Sequence, residues 1–349
     1  MNQKNPYTIS FGKVPTKYLS RNSVIDSIIE SFDSDEPDEQ VFKLTGIQGT
    51  GKTVTLTTIE KNFSDRKDWI VIGIRSDSEI ISELVARLYS QVPLITKFVD
   101  GNLNLSAFGI GLNLSKKSPV ASIDYALEVL LQELKKHGKR LLVTIDEARS
   151  TKGIVAFIQE FQILIRKALP IFCVVAGLYQ DIESLENTEG LTFFLRATKF
   201  EMTPLNITYI RDDYKNTLGI SYEEAEKMAF LTKGYAFAYQ TLGKYMWDSK
   251  GKTLTTEVLR QFDDVLGQKV YKKIWSELAP NDRWFLQFIV QKDTMSASEL
   301  LEMTKKTHSE WSIPRNRLKE KGIIDVETRG MISIRLPRFK EFIDSQIID

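Results

Sequence analysis

Eight consecutive residues, Gly46-Ile47-Gln48-Gly49-Thr50-Gly51-Lys52-Thr53, follow the spacing G-x-x-x-x-G-K-T, with Gly49 as a third glycine. Glycines placed this way let successive backbone N–H groups turn toward one centre, a cradle for phosphate oxygens at the N-terminus of the helix that follows. On this spacing Lys52 reaches the β- and γ-phosphates and the Thr53 hydroxyl is a ligand for Mg²⁺. Val54 completes the stretch that touches nucleotide. The second half of the chemistry is Asp146-Glu147, which ends the apolar run LLVTI. Asp146 suits a metal held through water, and Glu147 suits orienting and deprotonating an attacking water. Kinases and GTPases built on a phosphate loop usually lack the adjacent glutamate, so the pair points to ATP and to hydrolysis of its β–γ anhydride.

These residues need a sheet to position them. EQVFKLTG reads as a buried strand running straight into the glycine turn, and Lys52–Phe63 as the helix after it. WIVIGIR (Trp69–Arg75) is a second strand. The helix after it begins near Ser76, where Ser76 and Glu79 have capping-box spacing. RLLVTIDEA, IFCVVAG and TKFEM are three further strands, separated by the helical pattern IVAFIQEFQILIRKAL. Ser20–Phe32 has helical spacing before the first strand. SPVASIDYALEVLLQELKKHG reads as a helix capped by Ser118, with Pro119 in its first turn and Gly138 at its stop. Strands alternating with helices predict a parallel sheet covered on both faces. Asp146 and Glu147 then emerge at its carboxyl edge, where ligands bind in open α/β folds. Between Pro93 and Pro119, LNLSAFGIGLNLS alternates apolar and polar residues around Ala107–Gly109, which predicts an inserted hairpin within 97–117.

From Met202 the strand pattern stops. Four helical stretches follow, punctuated by Gly219, Gly234, Gly251 and Gly267. The remaining residues read as three helices, NDRWFLQFIVQ, SASELLEMTKK and IPRNRLKEKG, and then two short strands around Arg329-Gly330, the order of a winged helix. The expected domains are therefore 1–201, 202–269 and 270–349.

Composition narrows the choice. The chain has 349 residues, 27% of them charged, and a net charge of +1, so bulk electrostatics does not make it a polyanion binder. The single cysteine, Cys173, lies in an apolar run and reads as a small buried hydrophobe; an internal disulfide is excluded. The two histidines, His137 and His308, have no metal-ligand spacing around them. There is no leader-like N-terminus and no apolar run of membrane-spanning length, so a cytoplasmic protein without a membrane partner is expected.

The stretches GIQGTGKT, LLVTIDEA, FLRATKFEMTPL, KGYAFAYQTLGKYMW and IPRNRLKEKGIIDV together resemble the AAA-type P-loop ATPases related to the origin-recognition and Cdc6-like replication initiators. FGKVPTKYLSRN loosely matches a segment with which bacterial members begin, with Ser20 in place of a glycine. The resemblance implies an α/β P-loop NTPase domain of the additional-strand catalytic-glutamate, AAA type, a helical lid and a C-terminal winged helix. It implies Arg196, in FLRAT, as a finger acting on a neighbouring copy. The sequence departs from the family where its sensors stand. The first sensor position falls at Ala176-Gly177, with Tyr179 and Gln180 as nearby polar residues, and the second, in KGYAFAYQ, has Ala236 for proline and no arginine. Slow hydrolysis is the expectation.

Between Lys305 and Lys340 ten basic residues face four acids. A winged helix lays its third helix in the major groove and its wing along the backbone, which makes Arg315, Lys319 and Arg329 the candidates for duplex DNA. The expected function is an ATP-driven switch coupling nucleotide state to DNA. Two alternatives stay open: a STAND-like signalling NTPase whose winged helix clamps the ADP state and whose partner is a protein, and a structural nucleotide-binding subunit with little turnover.

Overall fold

The computed structural model describes residues 4–10, 15–104, 118–119, 122–292, 294–326 and 330–347. The chain divides into two compact units. One comprises Arg21–Thr45 and Lys52–Glu201; the other comprises Met1–Ser20, Gly46–Gly51 and Met202–Asp349.

In the first unit the elements are α1 (Asn22–Asp33), β1 (Val41–Thr45), α2 (Lys52–Ser64), β2 (Trp69–Arg75), α3 (Ile80–Gln91), α4 (Pro93–Asn102), β3 (Leu103–Asn104), β4 (Ser118–Pro119), α5 (Ile123–Lys136), β5 (Arg140–Asp146), α6 (Lys152–Arg166), β6 (Ile171–Gly177), α7 (Tyr179–Glu186), α8 (Thr192–Arg196) and β7 (Lys199–Glu201). Five strands form a parallel sheet in the order β2-β5-β6-β1-β7. Alternation along the strands splits its side chains between two layers. Val41, Leu141, Val143, Ile145, Ile171, Cys173 and Val175 join the apolar residues of α3 to α8. On the other face Phe42 and Phe172 meet Phe32 of α1, Phe63 of α2 and Trp69 in a continuous aromatic cluster. Burial pushes the Cys173 thiol far up, so it behaves as the small hydrophobe expected.

Three local expectations give way. Residues 93–102 are helical, with Ile95 and Val99 buried at i, i+4 spacing; the expected hairpin tip at Ala107–Gly109 lies outside the described residues. The described flanks Leu103–Asn104 and Ser118–Pro119 pair in parallel. Consequently α5 starts later than expected, capped by Ser122, whose side chain accepts from Tyr125 N–H, while Ser118-Pro119 is strand. Ser76 caps nothing: α3 begins at Ile80, and the Ser76 hydroxyl donates to the Glu147 carbonyl at 2.9 Å.

The second unit contains α9 (Ile207–Leu218), α10 (Tyr222–Leu231), α11 (Ala236–Ser249), α12 (Thr256–Leu266), α13 (Lys272–Ser276), α14 (Pro280–Ile289), β8 (Thr294–Ser296), α15 (Ala297–Thr304), α16 (His308–Glu320), β9 (Ile324–Asp325), β10 (Met331–Ile334) and α17 (Phe339–Ile347). Asn206, Ser221 and Thr255 cap α9, α10 and α12 through their side chains. Gly219 ends α9 at φ 62°. Gly267, expected to stop a helix, does not: it stays right-handed and opens a π-helical turn, Gly267–Tyr271, that joins α12 to α13. A Cβ there would stand 3.4 Å from the Phe342 ring of α17, an ordinary contact distance.

Tyr7 is anchored against α9 and α11. Its hydroxyl donates to Asp213 at 2.6 Å, beside Tyr239 at 2.7 Å, and its ring packs edge-on against Tyr239. Near the C-terminus, β8, β10 and β9 make an antiparallel sheet beside α14, α15 and α16. Here β8 and α17 were not foreseen. The helix α16 starts at His308, five residues before the expected Ile313, because Glu310 accepts from the Thr307 N–H at 2.9 Å; Pro314 is carried inside it.

Candidate nucleotide site

β1 ends at Thr45 and α2 begins at Lys52; the glycine loop is the connection. Gly49 and Gly51 hold φ of +82° and +95°, values that L-residues with a Cβ rarely adopt, which is why glycine is needed at both. Gly46 is packed instead: a Cβ there would come within 2.8 Å of the Thr50 hydroxyl. Thr50 donates that hydroxyl to Ile47 O at 2.9 Å, closing the turn on itself. Gln48 and Gly49 give their carbonyls to α11: the Tyr235 hydroxyl donates to Gln48 O, and Phe237 N–H donates to Gly49 O at 3.0 Å.

In the sheet unit the two halves of the motif meet. Parallel β5 delivers Asp146 to the carboxyl edge, and Thr53, in the first turn of α2, donates its hydroxyl to Asp146 Oδ2 at 2.7 Å. A hydroxyl and a carboxylate side by side form a hard-oxygen pair suited to Mg²⁺. Burial pulls the Lys52 ammonium down to about 8, while Asp146, Glu147 and Asp181 hold it up. Asp181 was not foreseen. It sits in the first turn of α7, one turn past the expected sensor position, where acids favour a helix N-terminus, and only the fold brings its charge to Lys52. Tyr179 gives its hydroxyl to Glu201 at 2.5 Å.

Glu147 is exposed and has φ of +49°, a conformation unfavourable for a residue with a Cβ. Its backbone is held on both sides. Asp146 Oδ1 accepts from its N–H at 2.9 Å, and the Ser76 hydroxyl donates to its carbonyl at 2.9 Å. Thr151, the N-cap of α6, donates to Ser76 O at 2.6 Å. Gly153 lets the two segments approach, since a Cβ would fall 2.2 Å from Ser78 O. The carboxylate is thereby presented to solvent one residue beyond Asp146.

Arg196 is not part of this cluster. It ends α8, exposed, and among the described residues it has no ion pair. Its helix is fixed from beneath by Lys43, a fully buried lysine of β1 that donates to Phe194 O at 2.7 Å, Leu195 O at 3.3 Å and Glu186 at 2.7 Å.

On α16, Trp311, Pro314 and Leu318 face the core, with Trp311 stacked on Phe285. Lys319 is exposed, Arg315 is half-buried and Ile313 is 61% exposed. Arg329 lies outside the described residues. Among the described residues at least three members of the basic group are engaged within the fold: Arg317 donates twice to buried Asp282, at 2.9 and 2.6 Å, Arg338 holds Asp263, and Lys306 pairs with Glu310 at 3.6 Å. The outward basic excess is smaller than the sequence count.

Among the described residues no group of three or more histidine, cysteine, aspartate or glutamate side chains could hold a metal, and no helix is long and apolar enough to cross a membrane. No curated protein matches the chain. A family model described as a domain of unknown function (DUF8462) matches residues 268–343, from the π-helical turn into α17. Among solved structures the chain is similar to the ORC2 protein of Aeropyrum pernix in ADPNP–ADP complexes, with a TM-score of 0.58 and 12% identity over 97% of this chain and 96% of that one. The ADP form of the same protein gives 0.51 at 12% identity, over 97% and 96%. Cdc6p from Pyrobaculum aerophilum gives 0.50 at 16% identity, over 97% of each chain. At these identities the likeness is one of fold: the chain shares the α/β fold of these structures.

Proposed function

We propose that the protein is an ATP-binding and ATP-hydrolysing switch that couples nucleotide state to duplex DNA through a C-terminal winged helix. The observation that carries the reading is the 2.7 Å bond from Thr53 to Asp146, which joins motif halves 93 residues apart with Glu147 presented beside them. Loop residues 46–51 would cradle the phosphates with their amides, and Lys52 would neutralise the β- and γ-oxygens. Thr53 and Asp146 would hold Mg²⁺, which when bound withdraws charge from the phosphates. Glu147 would orient a water and take its proton as the water oxygen bonds to the γ-phosphorus. The bond from that phosphorus to the bridging oxygen breaks, and ADP and phosphate leave. Arg196, exposed and without an ion pair among the described residues, suits a finger acting on a second copy, which would make the working form a homo-oligomer.

In this reading residues 1–201 are the nucleotide domain, 202–269 a lid and 270–349 the winged helix, in a cytoplasmic protein. The order α14, α15, α16 with three short strands supports the last, and Arg315, Lys319 and Arg329 would contact DNA. A protein partner in place of DNA is favoured by one observation, the engagement of Arg317 and Arg338 by internal acids. Steady-state ATP hydrolysis with and without duplex DNA, for wild type and Glu147→Gln, tests the reading. A rate that DNA changes and the glutamine variant abolishes is expected. A DNA-indifferent rate moves the search to protein partners, and no turnover with intact ATP binding leaves a structural subunit.

A further inference from the structure

A phosphate cradle turns its amides toward the ligand, and its carbonyls must then find donors elsewhere. Two of them, Gln48 O and Gly49 O, are met by the start of α11: the Tyr235 hydroxyl and the Phe237 N–H. Phe237 N–H is one of the first-turn amides that a helix leaves without an internal partner, so each orphan satisfies the other. The fit is close. A Cβ on Gly49 would stand 2.2 Å from the Tyr235 hydroxyl and 3.1 Å from the Phe237 side chain. Tyr235 is 5% exposed, and loop residues Gly46–Gly51 group with Met202–Asp349. Two residues before Tyr235, Lys233 donates to Ile334 O of β10 at 3.1 Å, so the same short segment also grips the C-terminal sheet.

We infer that Tyr235 is a positioning residue of the nucleotide site, clamping the crest of the phosphate loop to α11 so that loop and C-terminal elements respond to phosphate together. The clamp occupies the stretch in which the sequence lacks a sensor arginine, and it acts on the loop backbone. The inference rests on the nucleotide-binding reading.

The test uses the full chain, an N-methylanthraniloyl-ADP probe with Mg²⁺, and competition by ADP and AMP. Tyr235→Phe removes the hydroxyl and keeps the ring; the bond it loses corresponds to roughly fivefold to tenfold in affinity. That loss is expected for ADP and not for AMP, whose single phosphate lies short of the loop crest, so the ADP-over-AMP preference falls. Tyr239→Phe, four residues along the same helix, removes the bond to Asp213 and is expected to keep the preference. An unchanged preference in Tyr235→Phe, or an equal fall in Tyr239→Phe, overturns the clamp while leaving nucleotide binding in place. In the wild type, hydrogen exchange at the Phe237 amide should slow when Mg–ADP is added; no slowing also overturns it. A wild type that binds no nucleotide overturns both the clamp and the reading beneath it.

Discussion

Lys43→Met isolates the charge that supports α8. The lysine is fully buried on β1, between β6 and β7, with its ammonium 2.7 Å from Glu186 and 2.7 Å from Phe194 O. Burial pulls its pKa below the ordinary lysine range, against the attraction of Glu186. Methionine matches its length and removes the charge. Glu186 then keeps only Lys199, at 3.0 Å and itself 46% exposed, and the carbonyls of Phe194 and Leu195 lose a donor. Removing one partner of a buried pair typically costs about 3–5 kcal/mol. The surviving Lys199 contact argues for the lower end, about 3 kcal/mol, or roughly 6–12 °C in the melting of a domain of this size. Calorimetry and urea unfolding measure it. Lys43→Met/Glu186→Met should recover most of the loss, because an apolar pair can replace a buried ion pair at little cost. A single variant that loses less than about 1 kcal/mol, or a double variant no better than the single, refutes the argument that the pair holds this corner together.

Four further outcomes are expected. With a folded pKa of about 8 for Lys52 against an ordinary unfolded value near 10.4, the unfolded chain binds the extra proton between those limits. Stability from this group therefore rises with pH across that window, and below about 8 its burial penalty is constant. Bound phosphate restores the ammonium, so titration calorimetry in two buffers at a pH just above 8 should show uptake of roughly half a proton or more per ADP, absent in Lys52→Met. Glu147→Gly should be more stable than Glu147→Ala by roughly 1 kcal/mol in chemical unfolding, because only alanine is strained at positive φ; equal stabilities would count against strain there. Arg317→Ala should cost about 2–4 kcal/mol by stranding buried Asp282. Arg315→Ala and Lys319→Ala should leave stability within about 0.5 kcal/mol and, on the proposed DNA-binding reading, reduce the salt dependence of duplex binding, read by anisotropy across a salt series.

The glycine turn between β1 and α2, the acid pair at the edge of β5 and the strand–helix order were legible because each depends on neighbours in sequence. Three glycines, a lysine and a threonine at fixed spacing announce a strand-to-helix turn, and an apolar run ending in Asp146-Glu147 announces a strand edge. Boundaries were weaker at a cap. Ser118 suits an N-cap by sequence, yet Ser118-Pro119 pairs with Leu103-Asn104 and Ser122 caps α5 instead. Gly267 read as a stop because local sequence cannot show that Phe342 would pack against it.

The tertiary structure alone decided what surrounds those motifs. Lys43 looks like one charge in an apolar strand until α7 and α8 bury it, and Arg317 looks like one more surface cation until Asp282 takes it. Ser76 has the spacing of a helix cap, yet its hydroxyl steadies Glu147, 71 residues away. Tyr235 lies in a stretch whose sequence shows only a missing sensor arginine, yet its hydroxyl closes the loop at Gln48, 187 residues earlier. Periodicity and capping carry information over one or two turns of chain. Burial, charge pairing and the satisfaction of turned-out carbonyls are settled between segments that only folding brings together.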